Sequence, residues 1–181
     1  MRKVLLVTGG SRGIGAATCI LAAQKGWAVA VNYTANSKAA DEVVAEIKKT
    51  GGEAMSVQAD VANEEQVLAM FEKVRSTLGP LQGLVNNAGV VDVSARLDQM
   101  SMARWRRMFD INVLGSMLCA REAIRQMSTL HGGKGGRIGV VQAVVDAVGG
   151  LQRIQVQRGQ LRSGENIMHG RGLWRPSGRG S

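Results

Sequence analysis

The sequence predicts an α/β fold: a doubly wound, mostly parallel sheet whose C-terminal part is incomplete. Three observations carry this expectation. Short apolar runs alternate with longer helical patterns through the first 136 residues. The runs are continuously apolar rather than alternating, as strands covered on both faces require. The first run leads directly into a glycine-rich loop and then a helix. Right-handed crossovers wind such a series into one sheet with helices on both sides.

The elements follow in order. Val4–Val7 is the first strand. It follows the basic Met1-Arg2-Lys3, but it is too short for a secretory leader and is broken by Thr8-Gly9-Gly10. Gly13–Gly26 carries Ile14, Ala17, Ile20, Leu21 and Ala22 at helical spacing. Trp27–Val31 is a second strand, and Ser37–Thr50 a helix with Val43, Val44 and Ile47 on one stripe. Met55–Val57 is a third strand, and Asn63–Leu78 is helical through Val67, Leu68, Phe71 and Val74. Leu84–Val85 leads into Asn86-Asn87-Ala88-Gly89, and Ser101–Leu130 is a long helical pattern broken near Gly115. Ile138–Val148 reads as a fifth strand running into something irregular. Beyond it no periodicity defines an element, and Gly170–Ser181 reads as a disordered end.

Composition bounds the class. With 181 residues, 45% of them apolar, the chain suits one globular domain and excludes wholesale disorder. Only 2 Cys are present, which excludes a disulfide scaffold. Cys19 and Cys119 lie in helical patterns and suit reduced core thiols of a cytoplasmic protein. No apolar run approaches the ~18 residues of a membrane span.

Of the net charge of +9, residues 1–136 supply +4 (16 Lys and Arg, 12 Asp and Glu). Residues 137–181 supply +5, from 7 Arg against Asp146 and Glu165. That tail holds one aromatic, Trp174, and no nucleic-acid-binding motif, which argues against a nucleic-acid partner. The division is thus a nucleotide-binding domain over 1–138 and an atypical, irregular, basic Gly/Arg/Gln-rich tail over 139–181.

The loop Thr8-Gly9-Gly10-Ser11-Arg12-Gly13-Ile14-Gly15 stands where a phosphate can be held. Glycines let backbone approach a pyrophosphate, and the helix N-terminus offers free N–H groups and a positive dipole end. Glycines also end strands for structural reasons alone. A site for NAD(H) wants an acid at the end of the second strand. Here that strand ends Val31-Asn32-Tyr33-Thr34, and no carboxylate appears before Asp41. Arg12 in the loop and Lys38 at the next helix instead suit a 2′-phosphate, which favours NADP(H) over NAD(H). The alternative is that Arg12 simply faces solvent.

Together, Thr8-Gly-Gly-Ser-Arg-Gly-Ile-Gly15, Asp60-Val61, Asn86-Asn-Ala-Gly89 and Asn112 resemble the short-chain dehydrogenase/reductase family, in its classical branch, over residues 3 to about 138. The resemblance implies a Rossmann-like fold. It also implies an oxidoreductase that interconverts small carbonyl and alcohol substrates with a nicotinamide cofactor. By position, Gly9, Ser11, Arg12, Gly13, Ile14 and Gly15 would line the cofactor phosphates. Asn32, Tyr33 and Thr34 would lie beside the adenosine ribose, with Asp60 on the adenine amino group and Val61 against its ring. Asn87, Ala88 and Gly89 would pass under the cofactor, and Asn112 resembles the helix asparagine of the family's proton relay. Asp60 could equally cap the helix starting near Asn63, and Asn112 could bond backbone as a buried helix residue. The family is usually homo-oligomeric, through surface carried in the part this chain lacks.

The resemblance stops short of the chemistry. The family's proton donor is a tyrosine, with a lysine four residues later and a serine on the preceding strand. The only tyrosine here is Tyr33 and the last lysine is Lys134, so no such pair follows Asn112. The strand expected to end in serine reads Arg137-Ile-Gly-Val-Val-Gln142. His131, at a helix end, and His169, in the tail, have no placement that replaces the tyrosine. The family catalytic set thus reduces to Asn112, and no His/Cys/carboxylate cluster has metal-ligand spacing. The abrupt shift to lysine-free, Arg/Gly/Gln-rich sequence is what a GC-rich gene yields in a wrong frame. The expectation is therefore a frameshift from about residue 139, with a genuine alternative tail as its rival. Three readings remain: an NADP(H)-linked reductase, an inactive NADP(H)-binding module, and a non-functional truncated product.

Overall fold

A computed structural model describes residues 2–91, 95–145 and 152–160, with backbone alone at 97, 142–145 and 152–160. Six strands form one sheet in the order β3-β2-β1-β4-β5-β6. They are β1 Lys3–Val7, β2 Trp27–Tyr33, β3 Ala54–Gln58, β4 Leu81–Asn86, β5 Arg137–Val145 and β6 Gln152–Gln160. The first five run parallel, and β6 returns antiparallel to β5. The helices are α1 Gly13–Gln24, α2 Ser37–Lys49, α3 Glu64–Leu78, α4 Met102–Phe109 and α5 Gly115–Met127. This is the doubly wound α/β architecture the sequence predicts.

Period two within β1 explains its unbroken apolar run. Val4 and Leu6 enter the core on one face with Phe71 of α3 and Cys119 of α5. Leu5 and Val7 enter the other, with Cys19 of α1 and Ile47 of α2. A central strand covered on both sides has no solvent-facing position left for a polar residue. Leu6 and Val7 are both 0% exposed, so each buries its whole side chain, worth about 1.5–3 kcal/mol apiece.

Three helix starts are fixed by side chains. The Asn36 side-chain oxygen accepts from Ala39 N (3.0 Å), Asn63 from Gln66 N (3.0 Å) and Ser101 from Arg104 N (3.3 Å). On the α3/α5 face, Arg121 of α5 donates to Glu64 of α3 (2.6 Å) and to buried Glu122 (2.8 Å). Arg125 also donates to Glu122 (2.9 Å), so the buried carboxylate is paired, as burial requires.

Three expectations are modified. The long helical pattern is two helices joined by a π-helical turn over Asp110–Leu114. The irregularity ends at Gly115, near where the sequence expects a break; a Cβ there would stand 2.8 Å from Val61 Cγ2 and 3.0 Å from Val61 O, so glycine lets α5 lie against the chain after β3. Second, part of the tail expected to be irregular is the strand β6. Backbone pairing needs no apolar stripe, and Ile154 and Val156 alternate with Arg153, Gln155 and Gln157 at period two. Third, β6 pairs the outer edge of β5, which the sequence alone leaves open. The last residues of the expected fifth strand, 146–148, and the expected disordered end, Gly170–Ser181, lie outside the described residues.

Candidate functional site

Parallel strands place all their carboxyl ends on one edge. The strand order reverses between β1 and β4, with β2 and β3 on one side and β5 on the other. The loops diverge at such a switch point and leave a crevice, where doubly wound sheets bind ligands. The segments there are the β1–α1 loop, the ends of β2 and β3, and Asn86–Gly89 after β4.

The β1–α1 loop is built by glycine. Gly9 (φ 61°) and Gly13 (φ 54°) adopt left-handed backbone that a Cβ would strain. A Cβ on Gly15 would collide with the carbonyl oxygen of Gly9 and stand 2.5 Å from Asn87 Nδ2. Arg12 occupies the cap of α1 in extended conformation (φ −156°, ψ 167°) and contributes no side-chain capping bond. The first turn contains no acid. α1 thus presents an N-terminus free of its own carboxylate or side-chain cap, beside a glycine turn. That cradle, with α1 held close against the loop because Gly15 has no Cβ, fits a pyrophosphate.

A clasp joins this loop to the end of β4. The Thr8 hydroxyl donates to Val85 O (3.4 Å) and accepts from Asn87 N and Ala88 N (3.0 Å each). Asn87 Nδ2 donates to Thr8 O and Gly9 O (2.9 Å each). Thr8 is 1% exposed and was legible in the sequence only as the first residue of the glycine motif. Its role as the hub depends on β1 and β4 being neighbours, which motif spacing does not specify. Asn86 turns the other way: its Nδ2 donates to Ser116 O (2.9 Å) and its buried Oδ1 has no partner.

Two expected contact residues are committed elsewhere. Asn32 is 1% exposed; its Oδ1 accepts from Gly9 N (3.1 Å) and its Nδ2 donates to Ala59 O (3.0 Å). Its side chain thus bolts the glycine loop to the end of β3. Val61 is 4% exposed and packs in the core cluster with Phe71 and Cys119. Tyr33 is half-buried against the α1–α2 core, and Thr34 is exposed, its carbonyl accepting from Gln58 Nε2 (2.9 Å).

Asp60 Oδ1 accepts from Ala62 N (3.0 Å), while the cap of α3 is Asn63. Asp60 thus shapes the turn without capping the helix. Asp41, the first acid after β2, accepts from Ser56 Oγ of β3 (2.7 Å). Ser11 is half-buried; Arg12, Ile14 and Lys38 are exposed. Arg12 and Lys38 form no ion pair among the described residues.

Asn112 sits within the π-helical turn, the kind of helix irregularity that recurs at functional sites. Its Oδ1 accepts from Val90 N (2.8 Å) and its Nδ2 donates to Val90 O (3.0 Å). The residue is exposed rather than buried, and its amide pins the segment after Gly89. Its own carbonyl accepts from Ser116 Oγ (3.1 Å).

The two thiols take no part. Burial pushes Cys19 and Cys119 up to about 12, on opposite faces of the sheet. Among the described residues, no cluster of three His, Cys, Asp or Glu could hold a metal, and no helix is long and apolar enough to cross a membrane.

Residues 3–154 match the family model described as short chain dehydrogenase. An uncharacterized oxidoreductase of Escherichia coli, YgfF, is 45% identical over 146 residues, covering 81% of this chain and 59% of that protein. A 3-oxoacyl-[acyl-carrier-protein] reductase of Synechocystis is 40% identical over 147 residues, 81% of this chain and 58% of that protein. Among solved structures, the short-chain dehydrogenase/reductase of Serratia marcescens superposes with a TM-score of 0.72 at 34% identity, covering 78% of this chain and 55% of that one. The chain therefore spans less than two thirds of the length of these relatives. Fold, glycine cradle and sequence agree, and the chain belongs to the short-chain dehydrogenase/reductase family of oxidoreductases, which bind a nicotinamide cofactor.

Proposed function

We propose that the chain is an NADP(H)-binding member of this family, of the lineage that interconverts small carbonyls and alcohols. The observation that carries NADP(H) is the charge at the adenosine end. Arg12 and Lys38 are exposed and without ion pairs among the described residues, and the first acid after β2, Asp41, is hydrogen-bonded to Ser56. A dianionic 2′-phosphate gains charge-assisted hydrogen bonds there, whereas a bare 2′-hydroxyl lacks a carboxylate to accept from it. The similarity to a 3-oxoacyl-[acyl-carrier-protein] reductase supports the reaction class.

The residues divide the work. Gly9, Gly13 and Gly15 bring the backbone against the pyrophosphate, and the first turn of α1 supplies N–H donors. On this reading Asp60 accepts from the adenine amino group while its Oδ1 accepts from Ala62 N. Ala88 and Gly89 provide a floor without side chains to obstruct it, held by the Thr8–Asn87 clasp. A bound nicotinamide supplies or accepts the hydride.

The second reading, binding without turnover, rests on sequence. No tyrosine follows Tyr33 and no lysine follows Lys134, so residues 113–181 hold no Tyr-x-x-x-Lys to protonate a substrate oxygen. On this reading Asn112 acts by positioning the Val90 segment. NADPH oxidation with a panel of ketones separates the two. We expect fluorescence enhancement of NADPH on binding and no consumption; consumption above background overturns the inactive reading and leaves the cofactor assignment standing. A cytoplasmic location is part of this reading, supported by Cys19 and Cys119 both lying free and buried.

A further inference from the structure

Among the described residues the sheet ends on an open edge. β6 pairs with β5 on one side and with no described strand on the other, so alternate backbone N–H and C=O groups face outward. Its register with β5 runs without interruption from Gln152 to Gln160, with no bulge to twist the edge away. The segment holds no proline, lysine or acid, the residues that commonly keep an edge strand single. β3, at the other end of the sheet, is a shorter edge of 5 residues.

The sequence of β6 reads almost the same in both directions. Gln152-Arg-Ile-Gln-Val-Gln-Arg-Gly-Gln160 is centred on Val156, with Gln155 and Gln157 flanking the centre and Gln152 and Gln160 at the ends. An antiparallel partner of the same sequence, in the register that pairs the whole strand, sets Val156 opposite Val156, Gln155 opposite Gln157 and Gln152 opposite Gln160. Ile154 then stands opposite Arg158, and Arg153 opposite Gly159. Because alternate residues turn their backbone groups to the same side, facing residues must belong to the same alternate set. Arg153 and Arg158 belong to different sets, so no antiparallel register of the outer edge sets one against the other. Registers that set either arginine against its own copy leave part of the strand unpaired. Full pairing and separation of like charges thus select the same register.

We infer that β6 is a self-association edge: two copies of this chain pair their β6 strands antiparallel about a two-fold axis at Val156 and join their sheets into one. Such a contact is isologous and uses up both β6 edges, so it closes as a dimer. It is independent of the cofactor reading, because no residue of the crevice takes part. It is also a different surface from the one the resemblance implies for family assembly, which lies in the part this chain lacks.

Sedimentation of the 181-residue chain, together with the single variants Ile154→Cys, Val156→Cys and Arg158→Cys, tests this. Opposed residues of an antiparallel pair stand about 4.5–5.5 Å apart at Cα, within the ~7 Å reach of a disulfide. In the inferred register the two copies of residue 154, or of residue 158, lie about 13 Å apart. Cys19 and Cys119 are buried and give little background. The unaltered chain should pass from monomer to dimer as its concentration rises. Under mild oxidation Val156→Cys should form covalent dimers at least about tenfold faster than either other variant. Equal cross-linking at all three positions would show parallel, in-register stacking and overturn the inference. A dimer with no preference for position 156 would put the contact elsewhere and overturn it as well, as would a chain that stays monomeric up to its solubility limit.

Discussion

Gly15 has no room for a β-carbon, because Gly9 O and Asn87 Nδ2 already occupy that space. Gly15→Ala should cost about 1–3 kcal/mol in urea unfolding and abolish nucleotide binding, since the relief available is opening the cradle. Thr8→Val keeps the shape but removes the hydroxyl that accepts from Asn87 N and Ala88 N. Two buried donors lose their partner, so the loss should be about 1–3 kcal/mol, where Thr8→Ser should be mild. The thiols give a pH test. Their folded values, raised from 9.0 to about 12, keep protons that the unfolded chain releases. Between those values the unfolded state binds fewer protons, so stability falls as pH rises above about 9 and is unaffected below it. A thiol reagent at pH 8 should label neither cysteine until the chain is denatured. At this scale the sequence revealed the type of each site residue better than its direction. The Asn32 side chain serves the scaffold and Val61 packs into the core, directions that motif spacing does not encode.

At the scale of elements, β1 to β4 and α1 to α3 were legible because each has a single period and clear punctuation. Asn36 and Asn63 stand where the helical patterns begin and prove to be their caps. Asn63→Ala should cost about 1 kcal/mol, read by thermal or urea unfolding, with nucleotide affinity unchanged. The long pattern after Ser101 was less legible. A π-helical turn inserts one residue into the apolar repeat, and Gly115, which directly follows it, marks the place but not the kind of irregularity. The strand β6 escaped notice for another reason: Arg and Gln dominate its composition, and only Ile154 and Val156 mark the alternation. The ladder that pairs it with β5 is made of backbone groups, to which composition is a poor guide.

At the scale of the molecule, the nucleotide half of a dehydrogenase is present while the family's Tyr-x-x-x-Lys is not, and the family model reaches only residue 154. The match thus runs past residue 138, where the sequence alone let the resemblance end, into a stretch without lysine in which Arg, Gly and Gln are frequent. A shift of reading frame within this tail is our proposal for that change. Sequencing the coding DNA across this region should reveal, in another frame, a serine-bearing strand followed by Tyr-x-x-x-Lys. An independent clone with the same tail in an intact frame would show the tail to be genuine. The central claim, however, concerns what residues 1–138 hold. Its most direct test is parallel titration of the 181-residue chain with NADPH and NADH, followed by cofactor fluorescence. The account predicts saturable binding of NADPH at least about tenfold tighter than of NADH, with Arg12→Ala erasing the difference. Equal affinity for the two, or a preference that survives loss of Arg12, would contradict it.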